Sequence, residues 1–170
     1  MAVQLARNTG AKVIATAGSE EKMAIARDLG ADDAVNYKEQ SVADFVGVHT
    51  GGEGFDMVLD TVGGENLEKC FEASRVLGTV VTIAGGGPHD LSLMQAKSLT
   101  LHVESMLVPL FQGVGREAQG QILRETAKLV DDGKLKPLID PKTFTFEHVG
   151  EAHRHLESGK AIGKVVLTQH

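Results

Sequence analysis

Short runs of apolar residues alternate along the chain with longer stretches in which apolar residues recur every three or four positions. The short runs are typical of buried β-strands, and the longer stretches are typical of amphipathic helices. Strands are predicted at 12–18, 34–36, 55–60, 79–84 and 99–105. Helices are predicted at 1–9, 19–30, 41–51, 66–78 and 116–134, most of them ending at or near a glycine.

The order of these elements predicts the fold class. Strands that are apolar on both faces and are joined by helices of about 10 to 15 residues form parallel sheets with helices on each side. We therefore predict a doubly wound, Rossmann-type α/β fold for residues 1–134. Residues 135–170 differ, because they carry two of the four prolines, a predicted helix at 148–159 and a predicted strand at 163–169. They are predicted to form a tail appended to the α/β domain.

The first predicted helix starts without a capping residue. Its apolar periodicity begins at Met1, and no Ser, Thr, Asp or Asn precedes it to accept hydrogen bonds from the first free N–H groups. The helix is predicted to end at Gly10. Two alternatives follow: the helix frays at a native N-terminus, or the chain is a segment of a longer protein.

Composition and charge limit the class of ligand. The chain of 170 residues has a formal net charge of −6 and contains no run of Lys or Arg. Nucleic acids and anionic membranes are bound through clustered positive charge, so neither is expected as a partner. The expected ligand is a small molecule. The single cysteine, with no signal peptide and no apolar run of about 18 residues, favours a cytoplasmic location.

Four loops that follow predicted strands are rich in small residues. In doubly wound sheets ligands bind beyond the carboxyl ends of the strands, where glycine lets a ligand approach the backbone. Turn chemistry explains any one of these loops equally well, but four in succession favour a ligand-binding edge. The loops are AGS at 17–19, DTVGG at 60–64, AGGGP at 84–88 and ESM at 104–106.

The loop at 17–19 indicates which dinucleotide is bound. An NAD site usually carries Asp or Glu at the end of the second strand, whereas Ala17, Gly18 and Ser19 leave room for the 2′-phosphate of NADP(H). Lys22, one helical turn further on, is a candidate partner for that phosphate. The alternative for Lys22 is a solvated lysine that pairs with glutamates on its own helix. The G-x-G-x-x-G fingerprint of dinucleotide sites is missing between any predicted strand and the helix that follows it.

Several segments together resemble a known family. MAVQLARNTGAKVIATAGSEEK, FDMVLDTVGGENLEKC, LGTVVTIAGG and EAHRHLESGKAIGKVVL are similar to the quinone oxidoreductase and zinc-type alcohol dehydrogenase-like branch of the medium-chain dehydrogenases/reductases. The resemblance covers essentially the whole chain. In that family a central strand, a glycine-rich GGVG loop and a GroES-like catalytic barrel precede the segment AVQLAR. The resemblance therefore implies an N-terminally truncated cofactor domain, with a gap in the sheet between the strands at 12–18 and 55–60.

Together with the loop at 17–19, the resemblance gives a set of cofactor-binding residues but no catalytic residue. The set comprises Gly18, Ser19, Lys22 and Tyr37 at the 2′-phosphate, Thr61 and Val62 beside the ribose or the nicotinamide, Ile83, Ala84 and Gly85 along the nicotinamide, and Ser105 and Met106 near its carboxamide.

The resemblance also implies an activity and an assembly. The implied reaction is hydride transfer from NADPH to a quinone or an α,β-unsaturated carbonyl compound, and the implied assembly is a homodimer formed through the edge strand Leu99–Ser105. The tail is expected to pack against the catalytic domain. Without the glycine loop and the barrel, this chain alone is expected to bind NADPH weakly and to be inactive. The alternative is a non-catalytic, truncated Rossmann domain that acts as a dimerisation module.

The remaining candidates for chemistry are given structural roles. Asp60, at a strand end, is expected to cap the following turn, and Cys70 to pack as a small apolar group. His153 and His155 lie two positions apart on a predicted helix and therefore point to different faces, so no metal site is expected in this chain. A methyltransferase-like domain is disfavoured because Gly18 stands where such a domain carries an acidic residue.

Overall fold

The structure, a computed structural model, describes residues 1–169. These residues form two compact units. The first unit consists of Met1–Ala15, Ser19–Ala34 and the described residues from Leu123 onward, and the second unit consists of Thr16–Gly18 and Val35–Ile122. Whether the cofactor-binding domain ends at residue 134 stays a prediction, because both units contain parts of 1–134.

Helices and strands alternate through most of the chain. The helices are α1 (Ala2–Asn8), α2 (Glu20–Asp28), α3 (Val42–Thr50), α4 (Glu65–Ala73), α5 (Ser92–Ala96), α6 (Leu107–Gln112), α7 (Arg116–Asp131) and α8 (Val149–Glu157), the last preceded by a 3₁₀ turn at Phe146–His148. The strands are β1 (Ile14–Ala17), β2 (Asp33–Asn36), β3 (Phe55–Asp60), β4 (Ser74–Thr82), β5 (Thr100–Val103), β6 (Phe144–Thr145) and β7 (Leu167–Thr168).

The strands form three separate sheets. β1 pairs with β2, β3–β4–β5 form a parallel sheet in that order, and β6 and β7 form a parallel pair. Between residues 1 and 169, no strand hydrogen-bonds to both the β1–β2 pair and the β3–β4–β5 sheet. The predicted α/β fold with parallel strands is confirmed, and the gap in its sheet stays a prediction.

The core of the second unit lies between α4 and one face of the β3–β4–β5 sheet. Leu67, Cys70 and Phe71 project from α4 and pack against Val80 of β4 and Leu99 before β5. Phe71 and Val80 have no exposed surface, and full burial of one such side chain contributes about 1.5–3 kcal/mol. This layer fixes the sheet against α4.

The opposite face of the same sheet differs from the prediction. The strands are apolar on both faces, and helices were expected on each side. Met57 and Leu59, which alternate with the partly buried Val58, are nevertheless 66% and 46% exposed. Within the described chain, therefore, the helix layer on this sheet is one-sided. An apolar pattern shows that a face is suited to burial, but it does not show what covers that face.

The predicted helix at 66–78 is too long. α4 ends at Ala73, and Ser74 already has extended backbone angles. The ammonium group of Lys97 donates hydrogen bonds to the carbonyl oxygens of Phe71, Glu72 and Ser74, at 3.1, 2.6 and 2.7 Å. These bonds satisfy carbonyl groups that the end of a helix leaves free, so a residue distant in sequence closes α4.

The following strand begins earlier than predicted and contains a bulge. The pairing of β3 with β4 passes from Phe55↔Ser74 directly to Met57↔Thr79, so residues 75–78 bulge out of the ladder. Leu77 in this bulge has a φ of 60°. The strands predicted at 79–84 and 99–105 end earlier than expected, because Ala84 and Ser105 lie beyond the ends of β4 and β5. The sequence did not predict α5, α6 or β6.

In the first unit, α1 packs against the segment that follows α7. The side-chain amide of Gln4 donates to the carbonyl of Lys136 at 2.9 Å and accepts from its N–H at 2.8 Å. Asn8 donates to the carbonyl of Lys134 at 2.9 Å. The Gln4 amide therefore satisfies both backbone groups of one residue, as a neighbouring strand would. The start of α1 has no side-chain cap, as predicted.

No helix within residues 1–169 combines the length and the apolar character that crossing a membrane requires.

We predict that Gln4→Leu lowers the free energy of unfolding of the first unit by about 1–2 kcal/mol, because two backbone–amide hydrogen bonds are lost. The measurement is urea unfolding followed by circular dichroism. Gln40→Leu is the matched control, since Gln40 is exposed and makes no side-chain hydrogen bond within the described residues. Equal unfolding midpoints for the two variants would contradict the assigned role of Gln4.

Candidate functional site

The carboxyl ends of β3, β4 and β5 lie side by side in the second unit. Asp60, Thr82 and Val103 are partners in the last row of the strand register. The loops that leave this row are 61–64, 83–88 and 104–106, which are three of the four glycine-rich or small-residue loops found in the sequence. We call this place the strand-end edge.

The buried carboxylate of Asp60 organises two of these loops. Asp60 is 1% exposed. Its oxygens accept hydrogen bonds from the N–H groups of Val62 and Gly63 at 3.0 and 3.1 Å. They also accept from Asn66 Nδ2 and Thr82 Oγ1, each at 2.8 Å. Asp60 caps the turn after β3, as predicted, and also ties that turn to β4.

The environment of Asp60 sets its protonation state. Burial raises the pKa of this carboxyl, but hydrogen bonds from Gly63, Val62, Asn66 and Thr82 outweigh that effect, so the pKa lies below its ordinary value. Asp60 is therefore ionised at neutral pH. Since its oxygens are occupied by donors, it is not available as a general base.

Two glycines allow the loops of the strand-end edge to approach each other. Gly63 has a φ of 75°, and a Cβ atom there would collide with the carbonyl oxygen of Ala84. A Cβ atom on Gly85 would lie 2.9 Å from Thr82 Cγ2 and 3.2 Å from Val103 Cγ1. The backbone of both loops therefore packs closely, and only glycine fits at these two positions.

Three large apolar side chains at this edge face water. Val62, Ile83 and Met106 are 73%, 59% and 70% exposed. They belong to three adjacent loops, and packing in a core does not account for them. The structure thus brings together at one edge the seven residues predicted for the nicotinamide half of the cofactor: Thr61, Val62, Ile83, Ala84, Gly85, Ser105 and Met106. Their role in binding stays a prediction.

Gly18 and Tyr37 are neighbours in the second unit. The Tyr37 N–H donates to the carbonyl of Ala17 at 3.2 Å. A Cβ atom on Gly18 would lie 2.7 Å from the Tyr37 hydroxyl oxygen, so the tyrosine ring covers the glycine. Tyr37 is itself 58% exposed. A side chain at position 18 would have to displace this ring.

Ser19 and Lys22 lie in the first unit, at the start of α2. The Ser19 hydroxyl accepts a hydrogen bond from the Lys22 N–H at 3.4 Å and caps the helix. The Lys22 side chain is exposed and forms no ion pair within residues 1–169. Glu20 pairs with Arg27 instead, at 3.4 Å. The alternative in which Lys22 pairs with glutamates on its helix is not realised.

Sequence patterns did not identify one residue near this edge. His89 follows the glycines at 85–87, and both of its ring nitrogens are buried without a hydrogen-bond partner among the described residues. Buried polar atoms without a partner are rare in folded proteins. No spacing or motif singles out His89, because the signal depends on which atoms surround the ring.

Cys70 and His155 take part in packing and hydrogen bonding within the fold. Cys70 lies in the core, where burial and the nearby Asp60 charge raise the pKa of its thiol to about 12, so it stays protonated. The prediction of a packing role for Cys70 is confirmed. His155 lies 3.2 Å from the Asp140 carboxylate. In the part of the chain that the structure describes, no three His, Cys, Asp or Glu side chains are placed to hold a metal ion.

Comparisons with known proteins identify relatives of this chain. The family model described as "Zinc-binding dehydrogenase" matches residues 29–167. The chain is 31% identical, over 98% of its length, to a 2-methylene-furan-3-one reductase of Solanum lycopersicum. It is 30% identical, over 98% of its length, to the chloroplastic NADPH-dependent alkenal/one oxidoreductase of Arabidopsis thaliana.

A solved structure shares the fold. An alcohol dehydrogenase superfamily protein from Novosphingobium aromaticivorans superposes with a TM-score of 0.91 and 35% identity over 99% of this chain. The present chain spans 36% of each of the two plant reductases and 52% of the Novosphingobium chain. The match therefore concerns one part of these longer proteins.

We predict that Asp60→Asn lowers the free energy of unfolding at pH 7 by about 2–3 kcal/mol, because it disrupts buried, charge-assisted hydrogen bonds. The folded pKa of Asp60 is depressed, so its stabilisation is complete above the unfolded pKa of about 4 and is lost as the pH falls through the folded value. The difference between wild type and variant should therefore shrink below pH 4, in urea unfolding measured as a function of pH.

Asp56→Asn is the control for this prediction. The Asp56 carboxylate is 87% exposed and pairs with Arg75 at 2.6 Å. Exposed ion pairs contribute about 0–1 kcal/mol, so this variant should remain close to wild type. A penalty for Asp60→Asn that does not depend on pH would show that the charge of Asp60 is unimportant.

Proposed function

Because the chain belongs to the zinc-binding dehydrogenase family of the medium-chain dehydrogenases/reductases, we propose that it is the NADP(H)-binding part of an oxidoreductase. The proposed reaction is hydride transfer to a quinone, an enone or a similar small carbonyl compound. The observation that carries this proposal is the strand-end edge, where glycine-rich loops meet and apolar side chains face water.

The strand-end edge suits the nicotinamide half of the cofactor. A flat aromatic ring needs an apolar surface and a few polar groups that fix its orientation. Val62, Ile83 and Met106 supply exposed apolar surface, and the exposed Ser105 hydroxyl can exchange hydrogen bonds with a carboxamide. Gly86, the next residue of this loop, has open space in its Cβ direction, so its backbone is accessible to a ligand.

The nucleotide half is proposed to carry a 2′-phosphate. Gly18 and Tyr37 present no carboxylate that would repel it, and Lys22 has an ammonium group without an ion pair in residues 1–169. The name of the Arabidopsis relative, an NADPH-dependent enzyme, supports the same choice of cofactor.

Residues of this chain would act by binding and orientation. The nicotinamide supplies the hydride when the cofactor is bound. The strand-end loops would hold the ring in a fixed position and exclude water from one side of it. Asp60 takes no part in proton transfer, because its charge is held by donors from the same loops.

The described residues do not fit a zinc site. Zinc in proteins needs three or four nitrogen, sulfur or carboxylate ligands that converge on one point. No such group of side chains exists in residues 1–169, and the thiol of Cys70 is buried and protonated. No step of the proposed reaction is assigned to a metal in this chain.

We predict that the chain binds NADPH about tenfold more tightly than NADH and that Gly18→Asp reverses this preference. A carboxylate at position 18 displaces the Tyr37 ring, repels the 2′-phosphate and accepts a hydrogen bond from the 2′-hydroxyl of NADH. The measurement is calorimetric titration with each dinucleotide. We expect both complexes to be weak in this chain, because its sequence holds no G-x-G-x-x-G loop between a strand and a helix.

Gln40→Asp is the control, since it adds the same charge at an exposed position outside the proposed site. It should leave the preference for NADPH unchanged. Equal affinities of the wild-type chain for the two dinucleotides would refute the proposed 2′-phosphate site.

We also propose that the chain forms a homodimer through the segment Leu99–Ser105, which contains β5. β5 is the outer strand of its sheet. The Glu104 N–H, just beyond β5, donates inward to the carbonyl of Thr82 at 2.8 Å. Because N–H directions alternate along a strand, the N–H groups of Leu101 and Val103 point away from β4. Such a free edge favours pairing with another strand, and this pairing also supports the alternative function as a dimerisation module.

We predict that Val103→Pro weakens the dimer at least about tenfold, because proline removes an outward N–H group while the inward ladder to β4 remains. Val103→Thr keeps the N–H group and should dimerise like wild type. Sedimentation equilibrium gives the dissociation constants, and circular dichroism checks that each variant folds. An unchanged dimer in folded Val103→Pro would exclude this edge as the interface.

A further inference from the structure

A shallow, open pocket lies in the first unit, on the tail that follows α7. The pocket has a volume of about 480 Å³. Its lining residues are Lys142, Glu151, Arg154, His155, Ser158 and Lys160, and we call it the tail pocket. None of these residues belongs to the proposed cofactor site.

The charge of the tail pocket is opposite to that of the chain. Three lining residues, Lys142, Arg154 and Lys160, are cationic, and Glu151 is the single acidic one. Among the described residues none of the three cations forms an ion pair. The chain as a whole carries a formal net charge of −6. An unpaired cationic cluster in an acidic protein is a local attractor for anions.

One buried carboxylate holds together the segments that form the tail pocket. Asp140 is 4% exposed. It accepts hydrogen bonds from the N–H of Ile162 at 2.7 Å and from the N–H of Lys142 at 2.9 Å, and it lies 3.2 Å from His155 Nε2. The loop at 140–142, the helix α8 and the segment at 160–162 are thereby fixed to one another. These contacts occupy both carboxylate oxygens of Asp140, and none of the three cations forms an ion pair with it within residues 1–169.

The lining side chains also have a defined placement. Glu151, Arg154, His155 and Ser158 are spaced by three, four and seven positions, so they share one face along α8 and its C-terminal cap. The ammonium group of Lys142 lies 4.9 Å from the centre of the Phe144 ring, in a cation–π contact. The same phenyl ring packs against the His155 ring, with centroids 5.7 Å apart.

We propose that the tail pocket binds a phosphate group, either as free phosphate or as part of a small phosphate ester. Two lysines, an arginine and a serine hydroxyl supply the donors that tetrahedral oxyanions require, and the arginine fork can hold two oxygens at once. Nucleic acid does not fit the observation, because the positive charge is confined to one pocket and no basic stripe extends from it. The ligand is therefore small.

The test is a titration of the 170-residue chain with inorganic phosphate, followed by backbone amide NMR, with sodium chloride at equal ionic strength as the reference. We expect phosphate to shift amides of the tail pocket with a dissociation constant of about 1 mM, a value typical of a few solvent-exposed charge contacts. Chloride should not produce these shifts. Identical responses to phosphate and chloride would overturn the proposal.

Charge variants test the assignment of the site. Each of Lys142→Gln, Arg154→Gln and Lys160→Gln should weaken phosphate binding about threefold to fivefold, and the triple variant should abolish it. Glu151→Gln should tighten binding, because it removes the one carboxylate that lines the pocket. Lys69→Gln on α4 is the matched control and should bind like wild type. Binding that is unaffected by the triple variant, with a folded amide spectrum, would exclude the tail pocket.

Glycerol 3-phosphate and phosphate, compared in the same titration, distinguish the two sources of the phosphate group. Tighter binding of the ester identifies a phosphorylated small molecule as the ligand, and equal or weaker binding identifies the free ion. Neither result depends on NADPH binding, so the proposal stands or fails independently of the proposed oxidoreductase function.

Discussion

The geometry of the strand-end edge depends on one buried negative charge. Asp60 is almost fully removed from water, and a carboxylate in that position is tolerated only if donors replace the lost hydration. Two backbone N–H groups, an amide and a hydroxyl do so, and they come from the turn after β3, from the start of α4 and from β4. An apolar residue at position 60 would leave these donors unsatisfied. The loops that we assign to the cofactor therefore take their positions from a residue that would not touch it.

A similar buried carboxylate lies in the first unit. Asp140 is also buried and also receives backbone N–H groups from separate segments. Hydrogen bonds from Ile162 and Lys142 hold the pKa of Asp140 below its ordinary value, as the donors around Asp60 do for that residue. In each case an ionised side chain substitutes for regular secondary structure where loops meet. In each unit, therefore, a buried carboxylate acts together with apolar packing to position the surface loops.

The sequence predicted the elements whose signals are local. The helices predicted at 19–30 and 41–51 begin at the caps Ser19 and Ser41, the second ends at Gly51, and the run at 55–60 is a strand with the predicted limits. The helix predicted at 66–78 extends beyond the observed end of α4. That end is determined by Lys97, which lies more than twenty residues further along the chain. Helices of five or six residues, such as α5 and α6, are too short to show a complete period.

The candidate site was predictable in outline for a similar reason. Strand order alone places the loops after β3, β4 and β5 at one edge, so the sequence identifies which residues gather there. It does not reveal that the His89 nitrogens lack partners, nor that Asp140 joins three segments of the tail. Both facts depend on contacts between residues that no short motif links.

The one-sided helix layer on the β3–β4–β5 sheet has a consequence for solution behaviour. Met57 and Leu59 present an apolar strip to water on the face that no helix of the described chain covers. A ligand that adsorbs to this strip more tightly than to the unfolded chain raises the free energy of unfolding by mass action. Melting temperatures of this chain are therefore to be compared at a stated protein concentration and with stated additives.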